Sequence, residues 1–206
     1  MRSVWLAIFY KPSETILSIV KENPNKGLFR LCAIFGFAHL LQIAQLYAFS
    51  EKFSLMFILL FTIILSPIWG YLIFALSSFL IYFTGKWIQG KALYKECRAA
   101  MAWSSMPMLF NDLGWIAMII LFGKELFSRF PAGEFLTPSQ ISLLFVLLIL
   151  QVAAVIWSLV IYLNALSAVQ RFSTIRAILN VILSTVIIMA LMFLLYFMFV
   201  FFWVVI

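Results

Sequence analysis

FSLMFILLFTIILSPIWGYLIFALSSFLIYFT, residues 53–84, runs from end to end without a charged side chain. About 20 apolar residues are enough for a helix to cross the hydrocarbon core of a bilayer, so this stretch can span it. Ser66, Pro67 and Gly70 lie near its middle. Pro67 removes a backbone donor and clashes with the preceding turn, but two separate halves would be too short to cross. We therefore expect one long, tilted or kinked helix.

The composition of the whole chain is that of a membrane protein. Of the 206 residues, 66% are hydrophobic and 10% are charged, and the mean hydropathy is +1.15. Soluble domains carry about 25% charged residues, so lipid is the plausible surrounding for most of this chain. We predict an all-α, polytopic bundle of about five transmembrane helices, which forms a single membrane domain over residues 1–206.

Breaks in the apolar pattern define the predicted spans, which are 29–49, 53–84, 99–122, 141–168 and 177–206. Residues 1–28 precede them and end in a turn signal at residues 23–27. Pro12 and Ser13 mark the start of a short helix over residues 13–22. We expect this helix to lie in the membrane interface, and the alternative is a soluble cap helix packed on the end of the bundle.

The basic residues are distributed unevenly between the loops. The formal net charge is +7, and 11 of the 14 Lys and Arg residues lie in residues 1–30, 85–98 and 169–176. The two connections on the other side carry the remaining three. The positive-inside rule therefore predicts a cytoplasmic N-terminus and a C-terminus outside. Because these charges lie in short loops between apolar runs, we expect contacts with membrane lipids and not with nucleic acid.

Polar side chains within the spans form stripes at helical spacing. In the third span, Ser105 and Asp112 are seven residues apart and Asn111 lies beside them, which predicts a common face. In the fourth span, Gln151 belongs to a small, polar stripe with Asn164 at its edge. Membrane helices use small residues and amides to associate, so these stripes require no further function.

Asp112 is the acid that lies well inside an apolar run. An Asp at the centre of a membrane helix costs about 2.5–3.5 kcal/mol on insertion scales, and no Lys or Arg lies at the same depth. Its carboxyl group is therefore protonated or bonded to groups such as those of Asn111, Ser105 or Asn164. Two interpretations stay open, which are a proton- or cation-responsive site and a neutral carboxyl that helps the helices to associate.

The sequence shows no pattern of catalytic or metal-binding residues. One His and two Cys are too few for a zinc site, and two Cys do not make a disulfide framework. The motifs of zinc proteases, serine hydrolases, P-loop proteins and dinucleotide enzymes are absent. We therefore expect a non-enzymatic protein that carries no cofactor.

Two stretches resemble the Yip1-domain family of membrane proteins. Residues 9–16, Phe-Tyr-Lys-Pro-Ser-Glu-Thr-Ile, are followed by Asn-Pro at 23–24 and by the first span, which resembles the opening of that domain. Residues 85–107 contain two glycines, a short basic helix and a Ser-rich stretch that ends in proline, which resembles the loop before its third span. The resemblance covers nearly the whole chain and implies five spans.

The resemblance also implies a role in membrane organisation. Eukaryotic members of the family are linked to vesicle traffic and to Rab-type GTPases through a long cytosolic N-terminal region. About 28 residues precede the first span here. The resemblance therefore favours a short, bacterial-type member in the inner (cytoplasmic) membrane.

Three classes of function follow from these observations. The first is a membrane protein that organises a membrane-protein partner, further copies of itself or lipids through its cytoplasmic surface. The contact residues predicted for it are Pro12, Lys86, Lys91, Lys95 and Arg98. The alternative is a small transporter or channel component with a polar interior around Asp112, Asn111, Ser105, Gln151 and Asn164. A membrane-embedded enzyme ranks third because the sequence offers no catalytic pair.

Overall fold

The structure, a computed structural model, describes residues 4–129 and 137–205, the last four of them by backbone alone. Within these ranges the chain is helical and contains no strand, which confirms the predicted all-α class. The eight α-helices are α1 Val4–Tyr10, α2 Pro12–Glu22, α3 Leu28–Leu46, α4 Leu55–Trp87, α5 Tyr94–Ser104, α6 Met108–Phe122, α7 Pro138–Gln170 and α8 Thr174–Val205. Two short 3₁₀ turns cover Phe49–Glu51 and Gly123–Phe127.

Four helices, α3, α4, α7 and α8, are long and apolar enough to cross a membrane. The pair α5 and α6 provides a fifth span if it is counted as one bent element. The predicted number of about five spans is therefore confirmed. The second span is one uninterrupted helix with Pro67 inside it, and it extends beyond the predicted residues to Trp87.

The third span differs from the predicted single helix over 99–122. α5 ends at Ser104 and α6 begins at Met108, and the two are bent by 45° at this break. Pro107 is the physical reason, because a proline has no N–H to donate and disfavours helical geometry in the residue before it. The predicted loop 85–98 is also too long, since its last residues form the start of α5.

The N-terminal segment packs on the bundle. α2 begins at Pro12, as predicted, and α1 before it was not predicted. Ile8, Ile16 and Ile19 are buried, and the hydroxyl of Ser13 donates to a backbone carbonyl of α7 at 3.1 Å. This packing is what the cap-helix alternative describes, and the position of α2 relative to a bilayer stays a prediction.

Long-range contacts sort the connections into two ends of the bundle. Arg129 Nε lies 3.7 Å from Glu51 Oε1, which joins the α3–α4 connection to the segment after α6. At the other end, the backbone N–H of Lys91 donates to the carbonyl of Gln170 at 3.0 Å. We call the end that contains residues 23–27, 88–93 and 171–173 the basic end, since the loops richest in Lys and Arg meet there.

Candidate functional site

Three lysines of the basic end are exposed, and we call Lys86, Lys91 and Lys95 the basic platform. Lys86 lies in the last turn of α4, with its Nζ 5.2 Å from the ring centroid of Tyr82. Lys91 lies in the α4–α5 connection, and Lys95 lies in the first turn of α5. In the described part of the chain, no carboxylate forms an ion pair with any of the three.

Glu96, the acidic residue next to Lys95, binds the backbone at the start of α5 and not a lysine of the platform. The carboxylate of Glu96 accepts the backbone N–H of Leu93 at 2.8 Å and so caps the start of α5. An acid at a helix N-terminus also interacts favourably with the helix dipole. The charges of the basic platform are therefore left available for a partner.

A buried glutamine holds the connection that carries the platform. Gln170, at the end of α7, is 1% exposed. Its side-chain oxygen accepts the backbone N–H of Ala92 at 3.2 Å, and its amide nitrogen donates to Cys97 Sγ at 3.5 Å. With the bond from Lys91 to its backbone carbonyl, this one residue fixes the connection and α5 against α7.

Gly85 and Gly90 provide the space that Gln170 needs. A Cβ at either position would collide with the Gln170 side chain. The N–H of Gly90 also donates to the carbonyl of Gly85 at 2.7 Å, which closes the turn after α4. The two glycines on which the family resemblance partly rests therefore have a structural purpose.

A second buried polar cluster lies next to Gly85 and ties α8 to α4. Thr84 Oγ1 lies 2.6 Å from Asn180 Oδ1 and 2.7 Å from Ser184 Oγ. The Asn180 amide donates to the carbonyl of Ile81 at 3.2 Å. Sequence reasoning missed this cluster as a site, although the one-turn spacing of Asn180 and Ser184 is a signal that could have found it.

Arg98 is half-buried and bonded to other side chains, so it does not belong to the exposed platform. Its guanidinium donates to the hydroxyl of Tyr71 at 3.1 Å and to Asn25 Oδ1 at 2.7 Å. The same group lies 5.5 Å and 5.4 Å from the ring centroids of Tyr71 and Tyr94. Pro12, the remaining predicted contact residue, is half-buried at the start of α2.

In the structure, the predicted partners of Asp112 in the intramembrane polar site form hydrogen bonds with other groups. The side chains of Ser105 and Asn164 donate to carbonyls of their own helical segments, at 2.7 and 2.8 Å. The Asn111 amide lies 4.0 Å from the sulfur of Met108. None of these three bonds to Asp112. The break between α5 and α6 is the reason, because Ser105 and Asp112 do not share one continuous helix and their spacing gives no common face.

Asp112 is buried without a hydrogen-bond partner in the described structure. It is 9% exposed, and its Oδ1 lacks a partner, as does Nε2 of Gln151 on α7. A Cβ on Gly114 would lie 3.2 Å from that Gln151 nitrogen, so the amide packs on α6 at Gly114. Buried polar groups without partners are costly, so these two are the strongest candidates for interior chemistry.

A comparison with protein families covers nearly the whole chain. The sequence model of the Yip1 domain matches residues 6–205. The chain belongs to the Yip1 domain family. The match confirms the resemblance drawn from the sequence, and it includes the basic platform, Gln170 and the break between α5 and α6. Neither a curated protein nor a solved structure matches the chain.

The histidine and the two cysteines of this Yip1-domain protein are packed within the helix bundle. The indole N–H of Trp69 donates to His39 Nδ1 at 2.8 Å, which links α4 to α3. Cys32 and Cys97 are buried thiols that form no disulfide. Across residues 4–129 and 137–205, no cluster of three or more His, Cys, Asp or Glu side chains could hold a metal ion.

Proposed function

We propose that this Yip1-domain protein is a non-enzymatic membrane protein that organises protein partners or lipids at its basic end. The observation that supports the proposal is the fixed position of Lys91 and Lys95. Gln170 holds the connection that carries them, while their charges are exposed and unpaired in the described structure. A preorganised cationic surface loses little conformational entropy when it meets an anionic one.

The pairing of three basic side chains elsewhere in the described structure supports the choice of this surface. In the N-terminal segment, Lys11 pairs with Glu14 at 3.2 Å and Lys26 pairs with Glu22 at 2.8 Å. At the opposite end of the bundle, Arg129 pairs with an acid. We further propose that the basic end faces the cytoplasm, since the uneven loop charges favour that side and its leaflet attracts basic segments.

Photo-crosslinking from the platform tests this function. A photoreactive amino acid replaces Lys91 or Lys95 in the full-length protein in native membranes, and the adducts are identified by mass spectrometry. We expect one protein partner, a second copy of the chain or anionic lipid to dominate the adducts. The matched control is replacement of Lys124, an exposed lysine of the opposite end, which is expected to give few adducts.

A second candidate function is supported by the unpartnered groups between α6 and α7. A small transporter or channel component would use the buried carboxyl of Asp112 to bind a proton or a cation, and Gln151 on α7 is a second polar side chain of its interior. Intramembrane acids and broken spans occur at transport sites, and the third span here is broken next to Asp112.

If this second function holds, Asp112→Asn abolishes proton- or cation-driven flux, because the amide keeps the size of the side chain but cannot carry the charge. The measurement is flux into proteoliposomes that contain the purified protein. The control variant is Glu125→Gln, which changes an exposed acid at the end of the bundle opposite the basic end and is expected to retain flux. Absence of flux in the unmodified protein, or full flux in Asp112→Asn, counts against transport.

A further inference from the structure

Two grooves meet at the first turn of α3, and one of them contains two basic side chains. The first has a volume of about 510 Å³, lies between α3 and α4, and is lined by apolar side chains such as Cys32, Ile68 and Leu72. The second has a volume of about 420 Å³ and contains Lys26 and Arg30. Both grooves share Asn25, Leu28 and Phe29. They therefore form one continuous surface, which we call the composite groove.

The polar part of the composite groove is positively charged. Arg98 donates to two side chains that line the apolar part, at 2.7 and 3.1 Å, while its Nε is buried without a partner in the described structure. Arg30 is exposed and forms no ion pair there. Lys26 is paired with Glu22. Three cations and one acid leave a net positive site for an anion.

The apolar part of the composite groove opens away from the bundle. Phe29 is 73% exposed and Ile68 is 61% exposed, and both lie on helices that are long and apolar enough to cross a membrane. A purely apolar helix from a partner would fill the apolar part but would leave Arg98 and Arg30 without an anion. A ligand that is apolar along one side and anionic at one end satisfies both parts.

We propose that the composite groove binds an anionic glycerophospholipid from the leaflet at the basic end. The headgroup phosphate lies against Arg98 and Arg30, and an acyl chain lies along Cys32, Ile68 and Leu72. A volume of about 510 Å³ falls within the range of roughly 300–1,000 Å³ that is usual for ligand sites. Basic pockets between membrane helices on the cytoplasmic side are known to hold anionic headgroups.

This site rests on the proposed function in one respect only, since it specifies the lipid that the basic end would organise. It is separate from the basic platform in its residues. Arg30 lines the composite groove and Arg98 is hydrogen-bonded to two of its lining side chains, whereas the platform consists of Lys86, Lys91 and Lys95. The two proposals can therefore fail independently.

Photo-labelling with lipids of defined headgroup tests the site. The full-length protein is reconstituted with phosphatidylglycerol or phosphatidylcholine that carries a diazirine in one acyl chain, and the adducts are mapped by mass spectrometry. We expect phosphatidylglycerol adducts to concentrate on residues 28–32 and 67–72. Ile68→Trp fills the apolar part and abolishes most of this labelling, and Arg30→Gln lowers it about fivefold, as loss of one interfacial charge predicts.

Matched variants keep the test specific. Leu76→Trp introduces the same side chain at a 64% exposed position of α4 outside the composite groove and leaves the labelling unchanged. Arg176→Gln removes an exposed charge from the start of α8 with the same lack of effect. Neither Ile68→Trp nor Arg30→Gln removes a hydrogen bond that holds the described structure together, so both variants are expected to fold.

Three results would overturn the lipid site. Equal labelling by phosphatidylglycerol and phosphatidylcholine would mean that headgroup charge is not recognised. Adducts spread evenly over α3, α4, α7 and α8 would mean that only bulk lipid contacts the protein. Loss of groove labelling in Lys91→Gln/Lys95→Gln would mean that the platform and the groove are one site, so that no separate lipid site exists. Retention of the labelling in this variant supports the lipid site, even if the platform itself binds no partner.

Discussion

Gly70→Ala is expected to lower the thermal unfolding midpoint strongly, because the added methyl group would meet the backbone of a neighbouring helix. A Cβ at Gly70 would collide with the backbone carbonyl of Cys32 on α3, and a Cβ at Gly36 would collide with that of Ser66 on α4. Backbone atoms of a packed helix cannot rotate away as a side chain can, so the two helices must separate. We expect a cost at the upper end of the roughly 1–3 kcal/mol that is typical of overpacking, or beyond it.

The measurement is thermal unfolding in mild detergent, followed by tryptophan fluorescence and by size-exclusion chromatography of the heated sample. Gly36→Ala is expected to behave like Gly70→Ala, because the two glycines form one close approach of α3 and α4. Gly114→Ala is the control, since its added Cβ would meet the flexible Gln151 side chain, at 3.2 Å or more, and not a backbone atom. Unfolding of Gly70→Ala at the same temperature as Gly114→Ala would refute this account of the packing.

Gln170→Leu is expected to release the α4–α5 connection from α7. Leucine has a similar size, but it cannot accept a hydrogen bond from the buried N–H of Ala92. It also cannot donate a hydrogen bond to Cys97 Sγ. A buried group left without its partner costs about 1–3 kcal/mol, so the basic end opens far more often. The Cys97 thiol, which is fully buried behind this connection, then becomes accessible.

Maleimide labelling of Cys97 measures that opening. In a Cys32→Ser background, where Cys97 is the remaining thiol of the chain, Gln170→Leu raises the labelling rate about tenfold, which corresponds to about 1.4 kcal/mol. Gln42→Leu, at an exposed glutamine of α3, is the matched control and leaves the rate unchanged. An equally slow rate in Gln170→Leu would show that the connection does not depend on this residue.

The sequence predicts the spans well where a single physical requirement dominates. The uncharged run 53–84 forms one helix despite Pro67, because two short segments within a bilayer would leave backbone groups without partners. Loop charges predicted the alternation of the connections, and the contacts of Glu51 with Arg129 and of Lys91 with Gln170 place them at two ends accordingly.

The third span shows where periodicity fails. A spacing of seven residues places Ser105 and Asp112 on one face only if both lie on one continuous helix. The helix is interrupted at Pro107, so the spacing does not apply. Asp112 is buried as the apolar run implied, but the partners expected for it bond elsewhere. Gln151 Nε2 also lacks a hydrogen-bond partner. Its position depends on how α7 packs against Gly114, and a sequence alone does not reveal that contact.

The basic end shows the same limit for charged residues. Lys91, Lys95 and Arg98 look equivalent in the sequence, yet the lysines are exposed while the guanidinium is bound to Tyr71 and Asn25. These partners lie 27 and 73 positions away along the chain. The role of Gln170 could not be predicted from local sequence either, because this residue at the end of α7 contacts Lys91 and Ala92 before α5 and Cys97 within it.

The comparison of photo-adducts from position 91 with those from position 124 in native membranes tests the central claim most directly. If the basic end is the organising surface, position 91 yields one dominant protein or anionic-lipid adduct and position 124 yields almost none. Adducts of equal kind and yield from the two positions, or none from position 91, would contradict the claim.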